Sequence, residues 1–103
     1  MTDIMNWKEC ENNFIREVEI DIARIDSIID KAFIRLERAR NTKINNRNVS
    51  LVVEDYYETI KELLTAYLLN NGLRSKNHQC LISYFYNENP DFEKEAYLIA
   101  QMS

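Results

Sequence analysis

WKECENNFIREVEIDIARIDSIIDKAFIRLERAR, residues 7–40, is the stretch on which the fold turns. Within it Trp7, Cys10, Phe14, Val18, Ile22, Ile25, Ile29, Ala32, Leu36 and Ala39 follow one another at intervals of three or four, the step of a single helix face. The spacing predicts one very long helix over residues 6–41, about 50 Å at 1.5 Å per residue. Asn6 is placed to cap its start, with Glu9 three residues on, and the polar run Asn41 to Asn48 ends it. A second partial stripe, Ile15, Ile28 and Phe33, widens the apolar surface. A helix with two apolar flanks needs two neighbours, either inside the fold or across a dimer.

The rest of the chain answers that rod. The loop around Asn41–Asn48 is polar and short, which forces an antiparallel return. Asn48 or Ser50 then starts a second helix over 49–70, with Val53, Tyr56, Tyr57, Ile60, Leu63, Leu64, Tyr67 and Leu68 expected in the core and Glu54, Glu58 and Glu62 on a solvated row opposite. Asn70, Asn71 and Gly72 stop it, glycine being the natural left-handed residue just past a helix end. Ser75 or Asn77 opens a third helix over 76–87, running into Leu81, Ile82 and Phe85. Asn89-Pro90 opens a fourth over 90–102, where proline suits the first helical position and Asp91 and Glu93 suit the dipole. The expected architecture is all-α: an antiparallel up-and-down bundle of four helices in one domain.

Composition agrees with that class. One glycine and one proline in 103 residues leave few tight turns, and 46% hydrophobic content is enough for one real core. Cys10 and Cys80 lack Cys-x-x-Cys spacing and are expected as two buried, reduced thiols. The first residues carry neither a basic region nor an apolar run of the signal-peptide kind, and no stretch approaches the ~18 apolar residues of a membrane span. A cytoplasmic protein without membrane association is expected.

The net charge of -4 is unevenly spread. Residues 1–30 hold eight acids and three bases, residues 31–47 six bases and Glu37 alone, and residues 48–103 eight acids and four bases. An acidic whole argues against strong non-specific nucleic-acid binding. The basic segment leaves a local anionic contact open, although bases in the last turns of a helix also complement its dipole.

Candidate chemistry gathers between residues 74 and 78. His78 is the single histidine, the residue type suited to proton transfer at physiological pH; it reads either as an acid or base, or as a helix-start residue bonded to nearby backbone or to the first helix. Arg74, Lys76 and His78 make a small basic cluster where a helix N-terminus would favour a phosphate. No Glu-x-x-His or further His/Cys set points to a metal, and no cofactor motif occurs. Tyr56, Tyr57 and Tyr67 read as core residues, while Tyr84, Tyr86 and Tyr97 read as an exposed or inter-subunit surface.

Asp55-Tyr56-Tyr57, Leu63-Leu64 continuing to Asn70-Asn71-Gly72-Leu73, and then Ser75, His78, Leu81, Ile82 and Phe85 resemble the scaffold of the HEPN superfamily. These are small helical domains often found beside minimal nucleotidyltransferases in prokaryotes. The resemblance covers about residues 48–100, and it implies a HEPN-like domain over 1–103 that lacks the family's C-terminal segment. Members that cut RNA use an Arg-x(4–6)-His motif on the last helix, joined across a dimer. Arg74 and His78 are spaced Arg-x3-His and precede the third helix, so the motif is not matched. The resemblance therefore implies a non-catalytic homodimer, or a partner subunit of a nucleotidyltransferase-type protein, in a toxin-antitoxin-like or nucleotide-binding system. Two alternatives stand beside it: a metal-independent ribonuclease using His78 as acid or base with Arg74 or Lys76 on the phosphate, and a plain helical interaction adaptor.

Overall fold

A computed structural model describes residues 3–102. It contains helices α1 (Trp7–Asn13), α2 (Ile22–Asn41), α3 (Val49–Asn70), α4 (His78–Glu88) and α5 (Glu93–Met102), a 3-10 turn at Pro90–Phe92, and two short strands, β1 (Ile15–Glu17) and β2 (Leu73–Ser75). The class is mainly helical, as expected. The four-helix up-and-down plan is not what forms.

The expected rod over 6–41 is broken in two. Ile15-Arg16-Glu17-Val18-Glu19-Ile20-Asp21-Ile22 fits a helical face at Val18 and Ile22, but its latter half, Val18 to Ile22, also alternates branched apolar and acidic residues with period two. Period two is the pattern of a strand, and β-branched residues suit extended backbone. Here tertiary pairing decides: β1 runs antiparallel to β2 with Ile15 opposite Ser75, Arg16 opposite Arg74 and Glu17 opposite Leu73. Backbone hydrogen bonds continue past both ends, from Val18 N–H to the Gly72 carbonyl at 2.9 Å and from Lys76 N–H to the Phe14 carbonyl at 2.9 Å. The chain then restarts as a helix at Asp21, whose Oδ1 accepts from the Arg24 N–H at 3.1 Å. Ile22, expected inside, is consequently 58% exposed.

Several boundary signals work as expected. Asn6 caps α1 by accepting from the Lys8 N–H, and Asn77 caps α4 by accepting from the Gln79 N–H. Gly72 ends α3 with φ +74, a conformation that strains any residue carrying a Cβ. Asn48 precedes α3 but does not cap it with its side chain. Its amide instead closes the loop, accepting from Asn45 N–H and donating to the Lys43 carbonyl.

Helices α2 and α3 form an antiparallel hairpin with a seam of small residues. Ile25, Ala32 and Ala39 recur every seventh position on α2, and Val52, Thr59 and Ala66 do so on α3; all six are buried. A seven-residue repeat keeps one narrow stripe of each helix facing the other. Small side chains there let the two backbones come close. Thr59 satisfies its buried hydroxyl by donating to the Asp55 carbonyl at 2.8 Å.

The other elements gather on the far side of α3. Leu64, Leu68, Leu81, Ile82, Tyr84, Ala96 and Ala100 form the main core, flanked by Trp7, Ile15 and Leu73. Tyr84 belongs to this core at 5% exposure, not to the surface expected from sequence; its ring lies 5.2 Å from that of Trp7 and 5.5 Å from that of Tyr67. Burial and, secondarily, the Glu88 carboxylate push its phenol up to about 12. Cys10 and Cys80, expected as separate thiols, are joined in a disulfide that staples α1 to α4. Docking of the two helices brings their Cα atoms to 5.6 Å, a proximity that a sequence separation of 70 residues does not reveal.

Candidate functional site

The two long helices have two different sides, and the ion pairs identify them. On α2, Arg35 and Arg38 lie on one flank of the Ile25/Ala32/Ala39 row, whereas Ile29, Phe33 and Leu36 lie on the other. On α3, Asp55 and Glu62 lie on one flank of the Val52/Thr59/Ala66 row, whereas Tyr56, Ile60 and Leu63 lie on the other. Arg35 meets Glu62 at 2.8 Å and Asp55 at 3.5 Å, and Arg38 meets Asp55 at 2.8 Å. The charged flanks therefore share one side of the hairpin. The apolar flanks share the other.

That apolar side is uncovered. Phe33 is 55% exposed and Val53, expected in the core, is 50% exposed, while Ile29, Leu36, Tyr56, Ile60 and Leu63 are half-buried. It continues into a groove of about 400 Å³ where Ile60, Leu63 and Tyr67 of α3 face Phe85 of α4 and Ile99 of α5. Of the second stripe expected on the first helix, only Phe33 lies on this surface; Ile15 packs against the main core and Ile28 against Ala66 and Leu69. Sequence reading missed the α3 contribution, because the residues that actually face α2 are Val52, Thr59 and Ala66, and the rows expected inside lie partly to one side of them. The acid row was likewise too simple: Glu62 is held by Arg35, and Glu58 by Lys61 at 3.0 Å.

The basic cluster lies elsewhere, near the start of α2. Arg74 and His78 line one hollow of about 190 Å³ together with Arg24 of α2, over a floor that includes Leu68, Leu69, Leu73 and Leu81. Lys76 does not line it. Arg24 and Arg74 also border a smaller adjoining hollow with Glu19 and Asp21. Neither arginine has a carboxylate within ion-pair distance among the described residues. Among the described residues the His78 ring has no hydrogen-bond partner, so the expected tie to backbone or to the first helix is not found there. Arg24 was not singled out in the sequence because it stands 50 residues from Arg74, and only the break after Glu17 carries α2's first turn to this place. The basic residues of 31–47 extend along α2 and its loop, away from this hollow.

A third hollow, about 540 Å³, lies between the start of α1 and the α4–α5 corner, with Trp7, Lys8, Tyr86 and Tyr97 among its walls. Tyr86 donates its hydroxyl to Glu93 at 3.0 Å, and that bond, ahead of desolvation, raises its pKa. Among the described residues no three His, Cys, Asp or Glu side chains form a group able to hold a metal, and no helix is long and apolar enough to cross a membrane.

No family model, curated protein or solved structure matches the chain.

Proposed function

We propose that this protein is a helical interaction module that works as a homodimer, two α2–α3 hairpins pairing through their uncovered apolar sides into a four-helix arrangement. The observation that carries the reading is the segregation of the hairpin: salt bridges on one side, and Ile29, Phe33, Leu36, Tyr56, Ile60 and Leu63 on the other. α2 packs substantially on α3 alone, so an amphipathic helix of 20 residues has one neighbour where its apolar width calls for two. Two helices about 30 Å long and about 10 Å apart present a side of roughly 600 Å². With the rim from Phe85 and Ile99 this approaches the ~800 Å² per partner of a standard stable interface. The shape agrees: the radius of gyration is 14.5 Å, against about 13 Å for a compact domain of 100 residues.

A second copy is the occupant favoured because the side is mainly apolar, with Glu37 and Arg40 of opposite sign beside Phe33 and Leu36, and so complements itself under a two-fold axis. The HEPN resemblance supports a dimeric scaffold and adds a nucleotidyltransferase-type protein as a heterologous occupant, to be separated by experiment. The buried disulfide favours an oxidising compartment over the cytoplasm expected from sequence. Sedimentation equilibrium at micromolar concentration tests the reading. The wild type is expected at twice 12.3 kDa. Phe33→Glu and Leu63→Glu are expected as folded monomers, since both sites are partly open to solvent. A wild-type monomer at several hundred micromolar would remove the homodimer, and a complex formed only on adding a nucleotidyltransferase-type protein would replace it with the heterologous pairing.

A further inference from the structure

Arg16 and Arg74 stand directly opposite each other in the β1–β2 ribbon. Partners in an antiparallel pair project to the same side with their Cβ atoms about 5 Å apart, and like charges so placed repel. Arg24 comes to the same place from α2, sharing both adjoining hollows with Arg74. Arg24 and Arg74 thus meet at one hollow from two elements, Arg16 stands beside Arg74 in the ribbon without lining either hollow, and none of the three has a carboxylate within 4.0 Å among the described residues. The nearby acids do not neutralise them. Asp21 is engaged as the cap of α2, Glu19 borders only the smaller hollow, and Glu17 alternates to the opposite side of the ribbon from Arg16.

We infer that this hollow is a binding site for a phosphate group carried on a small molecule, with Arg24 and Arg74 as its clamps, His78 on the wall and Arg16 adding positive charge beside Arg74. Guanidinium forks match phosphate oxygens two at a time, which suits a dianion better than chloride or a carboxylate. The hydroxyls of Thr65 and Ser75 already donate, to the Lys61 and Asn77 carbonyls, so the arginines supply the contacts. A hollow of about 190 Å³ with a leucine floor holds a phosphate and a few further heavy atoms. It does not track a polynucleotide, which the net charge of -4 also disfavours. The site is independent of the hairpin's apolar side and of dimerisation.

The test is thermal unfolding and calorimetric titration of the oxidised protein with inorganic phosphate and with adenosine 5′-monophosphate, against sodium chloride at equal ionic strength. Phosphate is expected to raise the melting temperature by several degrees where chloride does not. Tighter binding of the monophosphate identifies an ester that uses the leucine floor, and equal binding identifies the free ion. Arg74→Gln is expected to weaken binding at least tenfold, yet to melt no lower than wild type without phosphate, because one member of a repelling pair is gone. An equal response to phosphate and chloride, or undiminished binding by Arg74→Gln, would overturn the site. A ligand-free Arg74→Gln that melts clearly lower would overturn the repulsion on which the inference rests.

Discussion

The two halves of this molecule are held by different means. At the base, α1, the ribbon, α4 and α5 wrap α3 with a disulfide, an aromatic row of Trp7, Tyr84 and Tyr67, and a core of large side chains. In the hairpin arm, α2 meets α3 along alanine, threonine and valine, with guanidinium–carboxylate pairs along one side and nothing along the other. The base is complete within one chain. The arm is complete only in its seam, and burying small side chains releases far less apolar surface than burying leucine or tyrosine. Under the proposed pairing, the base carries the stability of the chain and the arm carries the contact with a second copy.

The strongest way to break the comparison is to remove the staple. A crosslink spanning 70 residues restricts the unfolded chain by about 4 kcal/mol. Reduction, or Cys10→Ser with Cys80→Ser, should lower the denaturant midpoint accordingly, and Trp7 fluorescence should report loss of the base before far-ultraviolet dichroism reports loss of the arm. Coincident transitions would show that the two regions are one cooperative unit.

Next in size is the seam. Ala32 is fully buried, and Ala32→Leu should cost about 1–3 kcal/mol by forcing the arm's helices apart. Hydrogen exchange should locate the loss in α2 and α3 while α4 stays protected. Exchange rising equally in α4 would contradict the separation.

A pH experiment sharpens the base side. The Tyr84 phenol ionises near 10.0 when unfolded and at about 12 when folded, so its stabilising effect is complete below pH 10 and is lost as pH rises through about 12. Tyr84→Phe should abolish that alkaline fall in stability. The smallest effect belongs to the arm's charged side, where Arg38 is 64% exposed and its pair with Asp55 should contribute under about 1 kcal/mol in a double-mutant cycle.

The sequence made the arm more legible than the base. Periodic apolar positions disclosed α2 and α3, and Asn6, Gly72, Asn77 and Pro90 marked ends that the fold uses. What escaped was non-local. Trp7 to Ala39 keep a helical step through a segment that the pairing of Arg16 with Arg74 pulls into a strand. Tyr84 looked like a surface residue until Trp7 was packed on it, and Cys10 and Cys80 looked independent until two helices docked. The basic cluster was half visible: Arg74 and His78 lie close in sequence, whereas Arg24 reaches their hollow only through the restart of α2 and Arg16 comes beside Arg74 only through the ribbon.

Isotope-filtered NMR on a mixture of labelled and unlabelled protein tests the pairing of the arms most directly. The account predicts intermolecular contacts from the Phe33 ring to the Ile60 and Leu63 methyl groups. Absence of such contacts at millimolar concentration, with tumbling appropriate to a single 12.3 kDa chain, would contradict it.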